Sequence, residues 1–265
     1  MRMEAVTKSF KKQGRIVQNV QAMSNVSLNI RQAHCLALIG ESGSGKSTTG
    51  RVLCGIEEPD SGRIFYLGKD VKAFRSKERK MLRMNLQYVF QDPLSALNPK
   101  LTIRESLQEP LRNQRGDQSE REEIIQTVLK NVGLDKHHLN KYPSQLSGGQ
   151  LQRVNIARSI STKPSMIVLD EVVSNLDVPT QLQILDLLVE LKHSYHMSYL
   201  FISHDLQVVR YIADSVAVMD NGRIVENIDN INNLYQLDHP ASLRLIDAVH
   251  EIPEGTVKTD KAAIR

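Results

Sequence analysis

The stretch Gly40-Glu41-Ser42-Gly43-Ser44-Gly45-Lys46-Ser47 decides how the rest of the chain is read. It has the spacing G-x-x-x-x-G-K-[ST] of a phosphate-binding loop. Ahead of it, Cys35–Ile39 is a short apolar run, expected as a buried strand. Behind it, residues 46–54 contain no breaker before Gly55 and are expected as a helix. Strand, glycine turn and helix start form the context this spacing needs. The glycines let backbone N–H groups approach phosphate oxygens with no Cβ in the way. The helix start adds free N–H donors and a partial positive charge. On this reading Lys46 reaches the β- and γ-phosphates and the Ser47 hydroxyl holds Mg²⁺. The nucleotide-binding stretch runs from Gly40 through Thr48.

The whole chain bounds the answer further. Its 265 residues suit one large domain or two small ones. An apolar content of 40% and a charged content of 24% belong to a soluble globular protein. No apolar run reaches the length of a membrane span, and the first residues form no apolar signal region. Cys35 and Cys54 make no metal or redox spacing and are expected as buried thiols in a reducing cytosol. The net charge of +4 is spread among interspersed acids and bases, which reads as ordinary surface charge, with no nucleic-acid face.

Residues 2–10 and 20–30 alternate as strands joined through Lys11-Lys12-Gln13-Gly14. Further strands are expected at 62–66 and 86–90, with a charged helix at 75–84. From 101 to 162 the pattern turns helical. Ser119-x-x-Glu122 has capping-box spacing, Ile124, Ile125, Val128, Leu129 and Val132 follow at helical intervals, and Gly133 stops them. A second helix follows Ser147-Gly148-Gly149 and ends before Pro164. Strands at Met166–Asp170, 199–203 and 216–220 then alternate with helices, one of which starts near Pro179 and carries Leu182, Leu185, Leu188 and Leu191. This pattern predicts an α/β fold with a mostly parallel sheet covered on both faces. The helical block, about 95–162, is an insertion in that core, and 251–265 a flexible tail.

Met166-Ile167-Val168-Leu169-Asp170-Glu171 is an apolar strand ending in two acids. A carboxylate at the C-terminal edge of a parallel sheet lies at the ligand crevice. Asp170 is placed to bind Mg²⁺ and Glu171 to polarise the water that attacks the γ-phosphate. His204 follows the next strand and would sit at the same edge, within reach of that phosphate or water. Taken alone, an acidic pair or a histidine at a strand end is more often structural.

At this point the residues carry a family resemblance. Leu146-Ser147-Gly148-Gly149-Gln150 resembles the LSGGQ signature of ATP-binding cassette (ABC) ATPases, in its expected place between the phosphate loop and Asp170-Glu171. Gln91 resembles the Q-loop glutamine, Ser174-Asn175-Leu176-Asp177 the D-loop, and His204 the switch histidine. Phe10 falls where the family stacks an aromatic on adenine. Val172 stands where the family usually has Pro or Ala. The resemblance, over about residues 2–248, implies the P-loop fold of an ABC ATPase, with an N-terminal antiparallel β subdomain and an α-helical subdomain inserted in the core. It implies ATP as ligand and Mg²⁺ held by Ser47, Gln91 and Asp170. Glu171 and His204 become the catalytic pair. Ser147, Gly148, Gly149 and Gln150 close over ATP held by another subunit, because one chain has no use for two γ-phosphate cradles.

The stretch 89–99 and Asp238-His239-Pro240 resemble the oligopeptide, dipeptide and nickel import ATPases, although Ala241 and Ser242 replace the usual aromatic and threonine. Residues 146–154, 174–177 and 218–226 are most similar to the second ATPase of nickel importers. The implied partners are a second, homologous ATPase, two transmembrane permeases meeting residues 91–104, and, indirectly, a substrate-binding receptor. The implied location is the cytoplasmic face of the inner membrane, peripheral and bound through the permeases. A peptide importer is one alternative. Another is an energising subunit of a soluble complex such as a carbon–phosphorus lyase system. His137, His138, His193 and His196 are expected to be bland: the first two in a polar, water-facing connection, the second two on one face near a helix end.

Overall fold

A computed structural model describes residues 1–12, 18–113 and 117–250. The chain opens with strands β1 (Arg2–Lys12), β2 (Gln18–Asn29) and β3 (Cys35–Ile39), then helix α1 (Lys46–Leu53). Strands β4 (Ser61–Tyr66) and β5 (Lys69–Asp70), helix α2 (Ser76–Asn85) and strand β6 (Leu86–Val89) follow. Three helices come next: α3 (Ile103–Gln108), α4 (Gln118–Asn131) and α5 (Gly148–Ile160). The remainder alternates: β7 (Met166–Asp170), α6 (Val178–Tyr195), β8 (Ser198–Ser203), α7 (Leu206–Ile212), β9 (Ser215–Asp220), β10 (Arg223–Ile228) and α8 (Pro240–His250). The join at residues 13–14 and the tail from 251 lie outside the described residues.

Two sheets form, in the orders β2-β1-β4-β5 and β10-β9-β3-β8-β7-β6. The first is antiparallel. The second is parallel except where β10 turns back along β9. Every residue of β3, β7 and β8 is buried, as a sheet covered on both sides requires. Alternation sorts them between two cores. Cys35, Ala37, Ile39, Ile167, Leu169, Tyr199 and Phe201 pack with the apolar residues of α4, α5 and α6. Leu36, Leu38, Val168, Leu200 and Ile202 face the other way, onto Val52 and Leu53 of α1 and onto Met3, Val6 and Met23 of the antiparallel sheet. The central sheet is therefore the middle layer, between helices on one side and α1 with the small sheet on the other.

Several local expectations need correcting. The cap of α4 is Asp117, whose carboxylate accepts the Glu120 N–H at 2.9 Å while Glu120 accepts the Asp117 N–H at 3.2 Å. The box is thus two residues earlier than Ser119 and Glu122. Aspartate caps as well as serine, and Glu122 is drawn instead to Arg104. His196 is not on the face of α6 with His193. It ends the helix in the left-handed region, φ 51°. His138 does not face water but is 5% exposed. Cys35 is fully buried, whereas Cys54 is only partly so.

At the opposite edge from the phosphate loop, Asp214 ties three elements together. Its Oδ2 accepts from Lys192 Nζ at 2.8 Å and from the Cys35 N–H at 2.7 Å, with Lys192 itself buried. Burial alone would raise the Asp214 carboxyl, but Lys192, the Cys35 N–H and His34 outweigh it and hold the group below its ordinary value. The stability tied to the ionised form is therefore present at neutral pH and lost as pH falls through the folded-state pKa. Asp214→Asn should cost about 2 kcal/mol at pH 7, because Lys192 loses its counter-charge in a half-buried setting. Denaturant unfolding of parent and variant should converge as the pH is lowered through and below the carboxylate range.

Candidate functional site

The phosphate loop connects β3 to α1, with Gly45 at φ 108° immediately before the helix. A Cβ there would lie 2.2 Å from the Ala22 carbonyl oxygen, so only glycine fits. Lys46 is folded over its own loop. Its Nζ donates to the carbonyls of Gly40 and Glu41, both at 2.8 Å, and lies 3.4 Å from Ser44 Oγ. Burial pulls the Lys46 ammonium down, while Glu171, Asp170 and Glu41 pull it up. Ser42 and Gly43 are exposed, and Thr48 is partly buried in the first turn of α1. The Glu41 side chain turns away and pairs with Arg244 Nε of α8 at 2.7 Å.

Asp170 ends β7 and is 2% exposed. Ser47 Oγ donates to its Oδ1 at 2.9 Å, and Tyr88 Oη donates to its Oδ2 at 2.6 Å. Burial pushes the Asp170 carboxyl up, and both hydroxyls hold it down. Ser47 and Asp170 make a cluster of hard oxygen donors, the chemistry Mg²⁺ selects.

Glu171 follows in the left-handed region, φ 46°, which is costly for a residue with a Cβ. Two bonds hold it there. Its N–H donates to the Ile202 carbonyl at 3.0 Å, and its carbonyl accepts from Ser174 Oγ at 2.9 Å. The carboxylate meets Gln91 and His204 together. Gln91 Nε2 donates to Oε2 at 2.9 Å, and His204 Nδ1 lies 3.2 Å from Oε1. Glu171, Gln91 and His204, taken from three different segments, thus form one cluster beside Asp170. An acid so placed can accept a proton from water or orient it.

The signature residues form the start of α5. Ser147 Oγ accepts the Gln150 N–H at 3.3 Å, and Gln150 Oε1 accepts the Ser147 N–H at 3.1 Å. The first intrahelical bond runs from the Leu151 N–H to the Ser147 carbonyl, so the N–H groups of Gly148 and Gly149 have no intrahelical acceptor. Leu176 and Thr180 lie against these glycines, and Asp177 caps α6 through the Thr180 N–H at 3.3 Å. Phe10 is 37% exposed on β1, with Lys8 Nζ 5.3 Å from its ring centre.

Three side chains make contacts that the sequence reading does not foresee. Tyr88 and Arg244 are two, since only the pairing of β6 with β7 and the return of α8 bring them to the site. The third is His138. The Gln150 amide nitrogen lies 3.4 Å from its Nε2, and its Nδ1 lies 3.2 Å from the Asp135 backbone nitrogen and 3.0 Å from the Asp135 carbonyl oxygen. Asp135, His137 and His138 bring ligand atoms within 4.8 Å of one another, but both ring nitrogens of His138 are already engaged.

This edge is the site of a P-loop nucleotide hydrolase. The profile of the ABC transporter family matches residues 23–174. The oligopeptide transport ATP-binding protein OppF of Lactococcus lactis subsp. lactis is 41% identical over 239 residues, 90% of this chain and 75% of that protein. The nickel import ATP-binding protein NikE of Shigella boydii serotype 4 is 44% identical over 210 residues, 79% and 78% of the two chains. The dimeric ATP-binding cassette MJ0796, solved in a post-hydrolysis state with ADP and Pi, superposes with a TM-score of 0.76 at 29% identity, covering 87% of this chain and 98% of that one. The chain belongs to the ABC transporter family, as an ATP-hydrolysing subunit of an import system.

Glu171→Gln keeps the shape of the side chain and removes its charge. It should bind ATP with an affinity within a few-fold of the parent. Turnover in the assembled transporter should fall about 10²-fold or more, the scale of general-base help. Turnover within a few-fold of the parent would remove Glu171 from that role.

Proposed function

We propose that the chain, as one ABC ATPase domain over residues 1–250 with the helical block inserted at about 95–162, drives an importer from the cytoplasmic face of the membrane. Among the described residues no helix is long and apolar enough to cross a bilayer, so attachment would run through two permease subunits. The observation that carries this reading is the separation of roles. Glu171, Gln91 and His204 form one cluster, while the free N–H groups of Gly148 and Gly149 stand on another element. A second, homologous ATPase facing head to tail would use the spare donors, each signature closing on the other's ATP.

Within one site, the loop from Gly40 to Thr48 cradles the phosphates, with Lys46 leaving its carbonyls for them. Phe10 offers its exposed ring to adenine. Ser47 and Asp170 hold Mg²⁺, with Gln91 completing the set. Mg²⁺, when bound, neutralises charge on the phosphates. Glu171 orients the water, and His204 holds Glu171 and faces the γ-phosphate. Positioning and electrostatics carry phosphoryl transfer to water. A cavity of about 510 Å³ between β6 and the helices is lined by Phe90, Ala96, Glu109 and Arg158, beside residues 91–104. It is where a permease segment would dock.

If sites are shared, the rate of ATP hydrolysis by the purified chain should rise more steeply than linearly with protein concentration. A high, strictly linear rate from a proven monomer would contradict the shared site.

For the cargo we propose nickel, on the similarity of the signature, D-loop and 218–226 segments to nickel-import ATPases. A peptide cargo is the second reading, favoured by OppF matching over a larger share of the chain. Cells carrying the complete transporter should accumulate radioactive nickel in a manner abolished by Glu171→Gln. Uptake of labelled peptide in its place would assign the second reading.

A further inference from the structure

The contact between Tyr88 and Asp170 lies outside the motifs that define the site. Asp170 is 2% exposed and carries two oxygens into a place with little water. Each has one partner of its own: Oδ1 takes Ser47 at 2.9 Å, and Oδ2 takes Tyr88 at 2.6 Å. A carboxylate bonded through one oxygen can still rotate about χ2. Bonded through both, it is held in one orientation.

Packing sets the hydroxyl in place. Tyr88 lies on β6, whose register puts it beside Val168 of β7, two residues before Asp170. Phe90 packs on its ring, with centroids 4.6 Å apart. On the other side is α1, where the absence of a side chain at Gly50 makes room. A Cβ there would lie 3.2 Å from Tyr88 Cε2 and 2.8 Å from Val168 Cγ1. The ring is held by these contacts, and its hydroxyl donates to Oδ2.

We infer that Tyr88 is a positioning residue of the ATP site: by holding Oδ2 it aims Oδ1 of Asp170 at Ser47, so that the two oxygens face a divalent cation together. This rests on the assignment of Asp170 and Ser47 as the Mg²⁺-holding pair. Partners that fix the orientation of ligating groups typically change metal affinity about 10–100-fold when removed. Tyr88 takes no part in the chemistry itself, and its effect passes entirely through Asp170.

The test is binding, without turnover. The affinity of the full chain for a fluorescent, non-hydrolysable ATP analogue is measured in EDTA and across a Mg²⁺ titration. The readout is the Mg²⁺ concentration that gives half of the metal-dependent tightening. Tyr88→Phe removes one oxygen and keeps the ring, so the fold stands, which a thermal melt checks. In this variant the Mg²⁺ midpoint should rise about tenfold, with the affinity in EDTA unchanged. Asp170→Asn is the control for the underlying assignment. If it moves the midpoint while Tyr88→Phe does not, Tyr88 merely satisfies a buried hydroxyl and the inference is wrong. If neither moves it, Asp170 is not a metal ligand, and the inference falls with that assignment. A loss in Tyr88→Phe that is equal with and without Mg²⁺ also overturns it, since a general loosening of the site would not depend on the metal.

Discussion

The register of the parallel ladder β3-β8-β7 is the constraint on which the site depends. Ile39 stands opposite Ser203, and Asp170 opposite Ile202. The phosphate loop, the acid pair and His204 therefore leave the sheet at one level, though they are far apart in sequence. The polar contacts at the site are consistent with this level, but they do not act alone. The two cores enforce it, because a one-residue slip would move the Cys35-Ala37-Ile39 set into the layer that holds Leu36 and Leu38, and the reverse. The cost of placing a carboxylate such as Asp170 at so dry an edge is met by the hydroxyls of Ser47 and Tyr88.

The two glycine-bearing helix starts are built differently, and the difference follows their settings. At α1 the loop is closed on itself, with Lys46 on its carbonyls and Gly45 pressed against Ala22. At α5 the Ser147–Gln150 box satisfies the N–H groups of Ser147 and Gln150 and leaves those of Gly148 and Gly149, and the His138 ring lies against the Gln150 amide. A Cβ at Gly149 would come 2.5 Å from Thr180 Cγ2, so this helix start is also fitted to the start of α6. The D-loop aspartate, Asp177, caps that same helix. Signature and D-loop are thus packed against one another.

Much of this was legible in the sequence for physical reasons. The apolar runs at Cys35–Ile39 and Met166–Asp170 are too short for helices and too continuous for one-sided strands, so burial on both faces followed. Glycine and lysine at fixed spacing gave the phosphate loop, because few other uses need that combination. What stayed hidden depends on neighbours in space. His138 looked water-facing in a polar segment, yet its ring is buried and caps the Asp135 turn. Asp117-x-x-Glu120 has the same spacing as Ser119-x-x-Glu122, and only the backbone geometry distinguishes them. Tyr88 carries no mark in an alternating strand until β6 is seen beside β7.

The C-terminal motif illustrates how a departure from a family pattern can keep its physics. Asp238-His239-Pro240 opens α8, and Glu226 of β10 holds the opening by accepting the N–H of Asp238 at 2.9 Å, the N–H of His239 at 3.3 Å and the hydroxyl of Ser242. These bonds outweigh the burial that would otherwise raise the Glu226 carboxyl. Serine in place of threonine at 242 retains the atom that makes the bond and loses only a methyl. Helix α8, so anchored, carries Arg244 to Glu41 on the rim of the phosphate loop. Both partners are more than half exposed, and such a pair contributes about 0–1 kcal/mol. Its effect is on direction: the Glu41 carboxylate on the rim of the loop is held towards α8.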